Sequence, residues 1–81
     1  MTEMINNIGN RMVTKARLVN KVLEEWETKG LDTPLRNNPF YSEFQGMCQL
    51  LKAMEMEYNI HYDNDVIRMT AIVIMGKFFQ V

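Results

Sequence analysis

Residues able to do acid–base, metal or thiol chemistry are scarce in this sequence of 81 residues. His61 is its one histidine and Cys48 its one cysteine, so a metal cluster or an intrachain disulfide is not expected. His61 adjoins Tyr62 and could be imagined as a general base, but a single histidine beside a turn is far more often a packing or surface residue. We predict no catalytic residue, no metal ligand and no cofactor, and we expect that the protein is not an enzyme.

The acidic pair Asp63 and Asp65 is the other candidate for chemistry, because two carboxylates could contact a cation. The pair lacks the glycine and the distal glutamate of a helix–loop–helix calcium site. Short Asx side chains bond to the local backbone and favour turns, so we predict a turn over residues 63–65. No phosphate loop, nucleophile elbow or His-Glu-x-x-His pattern is present in the sequence.

Composition narrows the classes of protein that remain. Apolar residues make up 47% of the chain and charged residues 23%, which is typical of a folded domain. The net charge of −1 gives no electrostatic reason to expect nucleic acid or a membrane surface as the partner. No apolar run reaches the roughly 20 residues of a membrane span, and no signal peptide is recognisable. We expect one cytoplasmic domain over residues 1–81.

Two helices are predicted in the first two thirds of the chain. An apolar stripe at helical spacing covers residues 4–29 and is followed by Gly30 as a stop signal. The helix is predicted to begin either near Met4 or near Asn10, and in the second case residues 1–9 form a frayed arm, since Gly9 weakens a helix. The second helix is predicted to begin either at the Asn38 cap or at a Ser42 capping box, and to end near residue 55. Gly46 within it suggests close approach to the first helix.

From residue 57 onward the apolar period changes to two, which predicts strands. The economical arrangement is a three-stranded β-meander over residues 57–81. The predicted fold class is therefore α+β, with two helices packed on one face of a small C-terminal antiparallel three-stranded meander.

The central predicted strand has apolar residues on both faces. Strict alternation assigns to the core Ile67, Met69, Ala71, Val73 and Met75. The other face then carries Val66, Arg68, Thr70, Ile72 and Ile74, joined by Phe78. Ile72 and Ile74 would be covered either by the chain itself or by a partner that docks on this face or adds a strand to its edge, and a single bulge would exchange the two faces.

The first helix carries basic residues in its N-terminal half and acidic residues toward its C-terminus, against the helix dipole. A solvated charged face is the simpler interpretation, and contact with an acidic partner is the functional one. The predicted partner-binding residues are Arg68, Thr70, Ile72, Ile74, Phe78, Arg11 and Lys15.

Methionine is abundant, with eight residues in the chain. We expect most of them to fill the core, and an adaptable binding surface is the alternative. The core stripes are predicted to include Met12, Met47, Met54, Met69 and Met75.

The pattern Phe44-Gln45-Gly46-Met47, Leu51-Lys52-Ala53-Met54, Tyr58 to Asp65 and Ile72-Val73-Ile74-Met75-Gly76-Lys77 resembles small accessory proteins of bacteriophages and mobile elements. The resemblance covers less than half of the chain. It implies an accessory protein that binds a host or defence component, as anti-CRISPR inhibitors do, and it carries over no functional residue.

The leading hypothesis is a small non-enzymatic protein-binding module, specifically a phage-type inhibitor such as an anti-CRISPR, that acts stoichiometrically on a host or defence component. Two alternatives stay open. One is a nucleic-acid-binding transcriptional regulator, which the acidic second helix disfavours. The other is a structural homodimer.

Overall fold

The computed structural model describes residues 2–63 and 68–81, and it has the predicted α+β architecture. Two helices precede a three-stranded antiparallel sheet of order β1-β2-β3, so the predicted meander is confirmed. The elements are α1 (Thr2–Thr28), a 3-10 turn (Leu35–Asn37), α2 (Pro39–Ala53), β1 (Tyr58–Tyr62), β2 (Met69–Ile74) and β3 (Lys77–Gln80). Asn64, Asp65, Val66 and Ile67 lie outside the described residues, and with them part of the predicted turn and the predicted start of the central strand.

Helix α1 begins earlier than the sequence predicted. Residues 2–9 belong to the helix, so the alternative with a frayed arm is wrong, and the helix starts two residues before the other predicted start at Met4. Gly9 is buried because the ring of Phe79, from β3, packs directly against it. At the other end, Gly30 adopts a φ of +69°, and the Leu31 N–H donates to the Trp26 carbonyl at 2.8 Å. The predicted glycine stop is thereby confirmed as a left-handed cap.

Helix α2 begins at the first of its two predicted start signals. The Oδ1 atom of Asn38 accepts a hydrogen bond from the Phe40 N–H at 3.0 Å, and Pro39 occupies the first helical position. Ser42 lies inside the helix. The helix ends at Ala53, two residues before the predicted boundary, and Glu55 follows with a φ of +57°.

Two side-chain contacts fix the antiparallel register of the helices. Asn38 Nδ2 donates to the Val19 carbonyl at 3.1 Å, and Lys15 forms an ion pair with Glu43. The two helices therefore run in opposite directions. The N-terminal end of α1 must then lie beside the C-terminal end of α2.

Replacing Asn38 with alanine is expected to destabilise the protein by about 2 kcal/mol. Its side chain is fully buried, and its amide both caps α2 and bonds to α1. Loss of a helix cap costs about 1 kcal/mol, and loss of a buried hydrogen bond costs a similar amount. Urea denaturation measures the change. Asn37→Ala is the matched control because Asn37 is exposed, and an equal loss in both variants would contradict the assignment.

Strand β2 contains a bulge that reverses its faces. His61 is paired with Ala71, but the next residue, Tyr62, is paired with Met69, which leaves Thr70 as an extra residue in β2. Met69 keeps its predicted place in the core. After the bulge, Ile72 becomes the residue that points into the core.

A side chain of α1 takes over the backbone hydrogen bonds at this irregularity. Asn20 Nδ2 donates to the Met69 carbonyl at 2.8 Å, while Asn20 Oδ1 accepts from the Met69 N–H at 2.9 Å. The carboxamide thus pairs with Met69 as a neighbouring strand would. This two-point contact ties the middle of α1 to the start of β2.

The face assignment made by strict alternation is wrong beyond the bulge. Ile72 and Ile74 are fully buried, each with 0% of its surface exposed. Val73 is only half-buried, and Met75 is 50% exposed. The buried apolar cluster draws on both helices and the sheet: Met12, Val13, Ala16, Val19, Phe44, Cys48, Leu51, Met56, Met69, Ile72, Ile74 and Phe79.

A two-residue turn joins β2 to β3. Met75 and Gly76 have φ values of +51° and +81°, and the flanking residues Ile74 and Lys77 are paired. Two successive left-handed residues define the hairpin turn that follows the natural twist of the strands. Asparagine and glycine favour this geometry, so methionine in its first position is unusual.

Candidate functional site

The face of the sheet that points away from Ile72 and Ile74 is the candidate functional site. Strand pairing places its residues in two rows of three, one residue from each strand. We call this surface the outer sheet face, and it consists of Asn59, Val73 and Phe78 in one row and His61, Ala71 and Gln80 in the other.

Phe78 is the most exposed large apolar residue of this face. Its side chain is 63% exposed, beside the half-buried Val73. Ala71, in the other row, is only 5% exposed because larger residues flank it on both sides. The outer sheet face is therefore uneven as well as partly apolar, because the large ring of Phe78 protrudes near the small side chain of Ala71.

The outer sheet face contains no lysine, arginine, aspartate or glutamate. Its polar members are two amides and one histidine, Asn59, Gln80 and His61. An antiparallel sheet with one solvated face normally shows polar residues in alternation, and charged side chains are common there. An uncharged face with an exposed aromatic ring is typical of a contact surface, since interface cores are depleted in charge and enriched in aromatic residues.

One edge of the sheet, β3, has features that discourage strand addition. It has only four residues and starts with Lys77, whose Nζ donates to Asn6 Oδ1 on α1. Short strands and edge lysines are usual protections of a sheet edge. Of the two predicted docking modes, addition of a strand is therefore disfavoured at β3.

The structure separates the predicted partner-binding residues of β2 into different environments. Ile72 and Ile74 were assigned to the contact face wrongly, because the bulge at Thr70 turns them into the core. Phe78 is exposed on the outer sheet face as predicted. Thr70 is exposed at the bulge, where its hydroxyl donates to the His61 carbonyl at 3.2 Å.

Arg68 is half-buried, and its carbonyl accepts from the Asp63 N–H at 2.9 Å. It lies just before β2 rather than within the two rows of the outer sheet face.

Arg11 and Lys15 lie on α1 and not on this face. Lys15 is engaged within the fold, because it pairs with Glu43 and places its Nζ 5.9 Å from the centre of the Phe40 ring. Arg11 is exposed one turn away. The two basic residues therefore belong to the junction of the helices, and the structure does not bring them together with Phe78.

Cys48 is a buried thiol, as expected from its place on α2. Burial raises the pKa of this thiol, and a hydrogen bond with Tyr58 lowers it by a smaller amount. The pKa of Tyr58 is itself raised, first by burial and then by Cys48. A raised pKa keeps the thiol protonated and unreactive at neutral pH. Within residues 2–63 and 68–81, no three histidine, cysteine or acidic side chains are grouped to hold a metal ion.

Comparison with known proteins adds no relative to this description. No protein-family model matches the chain, and no curated protein or solved structure matches it either. None of the helices in the described part of the chain is both long enough and apolar enough to cross a membrane.

Sequence reasoning missed a second exposed apolar region. Met54 was placed in the core and is 39% exposed, while Leu50, which had no assigned role, is 56% exposed. Met4 on α1 is 41% exposed. A signal for this region does exist, because Met47, Leu50 and Met54 repeat at helical spacing beside the main stripe of α2.

Proposed function

We propose that this chain is a small protein-binding module that acts stoichiometrically, without catalysis, through the outer sheet face. The observation that carries the proposal is Phe78, 63% exposed at the β3 end of a row that contains no lysine, arginine, aspartate or glutamate. Buried aromatic residues supply much of the binding energy in protein interfaces. The neighbouring Val73 and Ala71 would let a partner side chain pack beside the ring.

The proposal includes the packing of both helices on the same face of the sheet, the face of Ile72 and Ile74. Three contacts support it: α1 touches Phe79 through Gly9 and Met69 through Asn20, while Cys48 of α2 bonds to Tyr58. This arrangement leaves the outer sheet face without a helix over it. A partner protein is then the natural cover for Phe78.

The chemistry of this face disfavours nucleic acid as the occupant. Binding to phosphates depends on lysine and arginine, and the outer sheet face has neither. The resemblance of residues 44–81 to phage accessory proteins is the ground for a more specific form of the proposal, an inhibitor of a host or defence component.

The proposal is tested by comparing matched surface variants in affinity capture from cell lysate. Phe78→Lys changes the outer sheet face, and Leu31→Lys makes the same change at a site 52% exposed beyond the end of α1. We expect proteins captured by the parent chain to be retained by Leu31→Lys and lost with Phe78→Lys. Capture that is indifferent to Phe78, or no specific capture at all, would overturn the proposal.

The capture experiment requires that both variants fold. Exposed side chains contribute little to stability, so melting temperatures within a few degrees of the parent are expected. Circular dichroism on the same preparations checks this. A captured protein should then bind the purified chain directly, with the affinity reduced at least about tenfold by Phe78→Lys.

A further inference from the structure

Strand β1 forms one edge of the sheet and turns part of its backbone away from β2. The Met75 N–H donates to the Glu57 carbonyl at 2.8 Å, so residue 57 directs its backbone toward the neighbouring chain of β2. Because hydrogen-bonding residues alternate along an antiparallel strand, Asn59 and His61 bond to β2 as well. The backbone N–H and C=O groups at the free edge belong to the residues between them, Tyr58, Ile60 and Tyr62.

The hydrogen bonds on the other side of β2 agree with this alternation. The Val81 N–H donates to the Thr70 carbonyl at 3.1 Å, so Ile72 and Ile74 bond to β3, and the residues between them bond to β1. Within residues 2–63 and 68–81, no other group pairs with the outward backbone groups of β1. Unpaired backbone groups at a sheet edge are a template for another extended chain.

A groove runs along this edge between β1 and α2, and we call it the β1 groove. It has a volume of about 290 Å³. Its lining consists of Phe44, Gln45 and Cys48 from α2 and of Tyr58, Ile60 and Tyr62 from β1. Gln45 Nε2 donates to the Tyr41 hydroxyl at 2.7 Å, and Cys48 is hydrogen-bonded to Tyr58. The lining therefore combines apolar groups with hydroxyl and amide groups, which suits small side chains that carry a methyl or a hydroxyl group.

The side of α2 that lines the β1 groove is not covered by α1. Helix α1 meets α2 at Glu43, through the ion pair with Lys15. Gln45 follows Glu43 by two residues and therefore lies on the opposite side of the helix. Gly46 is exposed, and a Cβ added there would have no neighbouring atom within 4 Å, so the predicted close approach of α1 to Gly46 is wrong.

The spacing of the elements places α2 beyond the edge of the sheet. Helix α1 lies over β2 and β3, because Asn20 bonds to Met69 and Gly9 packs against Phe79. Packed helices are about 8–10 Å apart and neighbouring strands about 4.8 Å apart. With both helices on one face, α2 then extends about 2–4 Å past β1.

This overhang decides between a second copy and a single strand as the occupant. A second copy that paired its own β1 with this edge would do so about a two-fold axis, roughly 2.4 Å beyond β1. The α2 helices of the two copies would then come within about 4 Å of each other, where packed helices need about 8 Å. A single extended segment has no helix of its own over the edge and fits beneath α2.

Charged side chains near the β1 groove are few and of both signs. β1 itself contains no lysine, arginine, aspartate or glutamate. Among the described residues, Lys52, Glu55 and Glu57 lie around its N-terminal end, while Asp63 and Arg68 lie at its C-terminal end. A strongly acidic or strongly basic segment would meet like charge at these ends, whereas an uncharged segment would not.

We propose that the β1 groove binds an extended, uncharged segment of a partner protein, which adds to β1 as an antiparallel fourth strand. Every second side chain of the segment would enter the groove beneath α2, where threonine and valine fit the mixed lining. The inference shares the helix packing of the proposed function but does not involve Phe78, so either can fail without the other.

A synthetic peptide with free ends blocked, Ser-Thr-Gln-Val-Gln-Thr-Ser, is the probe. Its valine can lie opposite Ile60 and its threonines opposite Tyr58 and Tyr62. Titration of the isotope-labelled chain, followed by NMR, should give a dissociation constant on the order of 0.1–1 mM, since a short strand buries less area than a stable interface. No binding up to about 5 mM of peptide would overturn the proposal.

Backbone methylation of the peptide distinguishes strand addition from other contacts. N-methyl groups on the valine and both threonines remove the N–H groups that would bond to β1, so binding should weaken at least about tenfold. N-methyl groups on the two glutamines should leave binding within about threefold, because those N–H groups point away from β1. Equal binding of the two methylated peptides would refute the antiparallel pairing.

Amide hydrogen exchange locates the edge that is occupied. In the free chain, the N–H groups of Tyr58, Ile60 and Tyr62 should exchange faster than those of Asn59 and His61. A saturating amount of peptide should slow the first three about fivefold. If they are slowed by raising the concentration of the chain alone, a second copy occupies the edge and the proposal is wrong.

Two matched tryptophan variants test the groove itself. Gln45→Trp should fill the β1 groove and weaken peptide binding at least about tenfold, whereas Gln80→Trp, exposed on β3, should leave it unchanged. Circular dichroism establishes that both variants fold. Phe78→Lys should also bind the peptide as the parent does. A peptide that is lost with Phe78→Lys and retained by Gln45→Trp would place the binding site on the outer sheet face instead.

Discussion

Replacing Ile72 with lysine is expected to unfold the protein, whereas Phe78→Lys is expected to leave it folded. Ile72 has 0% of its surface exposed and belongs to the core cluster, while Phe78 is 63% exposed. Removing most of a buried isoleucine side chain costs about 2–5 kcal/mol, and an unpaired buried charge adds several more. A domain of this size has a total stability of roughly 4–12 kcal/mol, so the substitution consumes most or all of it.

Far-ultraviolet circular dichroism and urea denaturation of the two lysine variants measure this difference. Ile72→Val is the conservative companion, and it should cost only about 1 kcal/mol. The opposite pattern, with a folded Ile72→Lys and an unfolded Phe78→Lys, would mean that the two faces of the sheet have been assigned in reverse.

This pair of variants bears on why the sequence located the sheet but not its faces. Alternation of apolar residues identified three strands and their meander, because a period of two is a local property. Assigning residues to the two faces requires that side chains alternate without interruption along β2. The extra residue Thr70 interrupts this alternation. The bulge is stabilised from a distance by Asn20, 49 residues away from Met69 in the chain. No local pattern contains that contact.

Helix ends were more predictable than the surfaces between them. Asn38 and Gly30 cap their helices through local geometry within a few residues. The residue types alone therefore predict these two helix ends. The exposure of Met54 and Met75 is a different matter, since it depends on which neighbours each methionine meets. Methionine suits both a core and a contact surface, and its presence on a stripe does not distinguish the two.

Only part of the outer sheet face could be predicted from the sequence, because its composition depends on the register between strands. Phe78 was expected to lie outside the core, and it is 63% exposed on the outer sheet face, while its role in binding stays a prediction. Its neighbours were misidentified, because Val73 and Ala71 take the places that alternation gave to Ile72 and Ile74. The uncharged character of the face emerges only when the register joins residues from three strands.

Replacing Gly9 with alanine is expected to destabilise the protein by about 2–3 kcal/mol, although the same change at Gly46 should stabilise it by about 1 kcal/mol. A Cβ at position 9 would lie 2.6 Å from the Cε2 atom of Phe79, with two other ring atoms closer still. Phe79 is only 9% exposed and is held in the core, so its ring has little room to retreat. The steric cost therefore exceeds the gain in helix propensity.

Urea denaturation of both alanine variants provides the comparison, since the chemical change is identical and the difference lies in the neighbours. A double-mutant cycle with Phe79→Leu identifies the cause. Leucine is shorter than phenylalanine, so Gly9→Ala should cost less when leucine occupies position 79. If the cost is the same with either residue, the close approach of α1 to β3 is not what requires glycine at position 9. A reduced cost would mean that the N-terminal turns of α1 are fixed on the sheet by this contact, because a helix start with weak intrinsic propensity gains its order from tertiary packing.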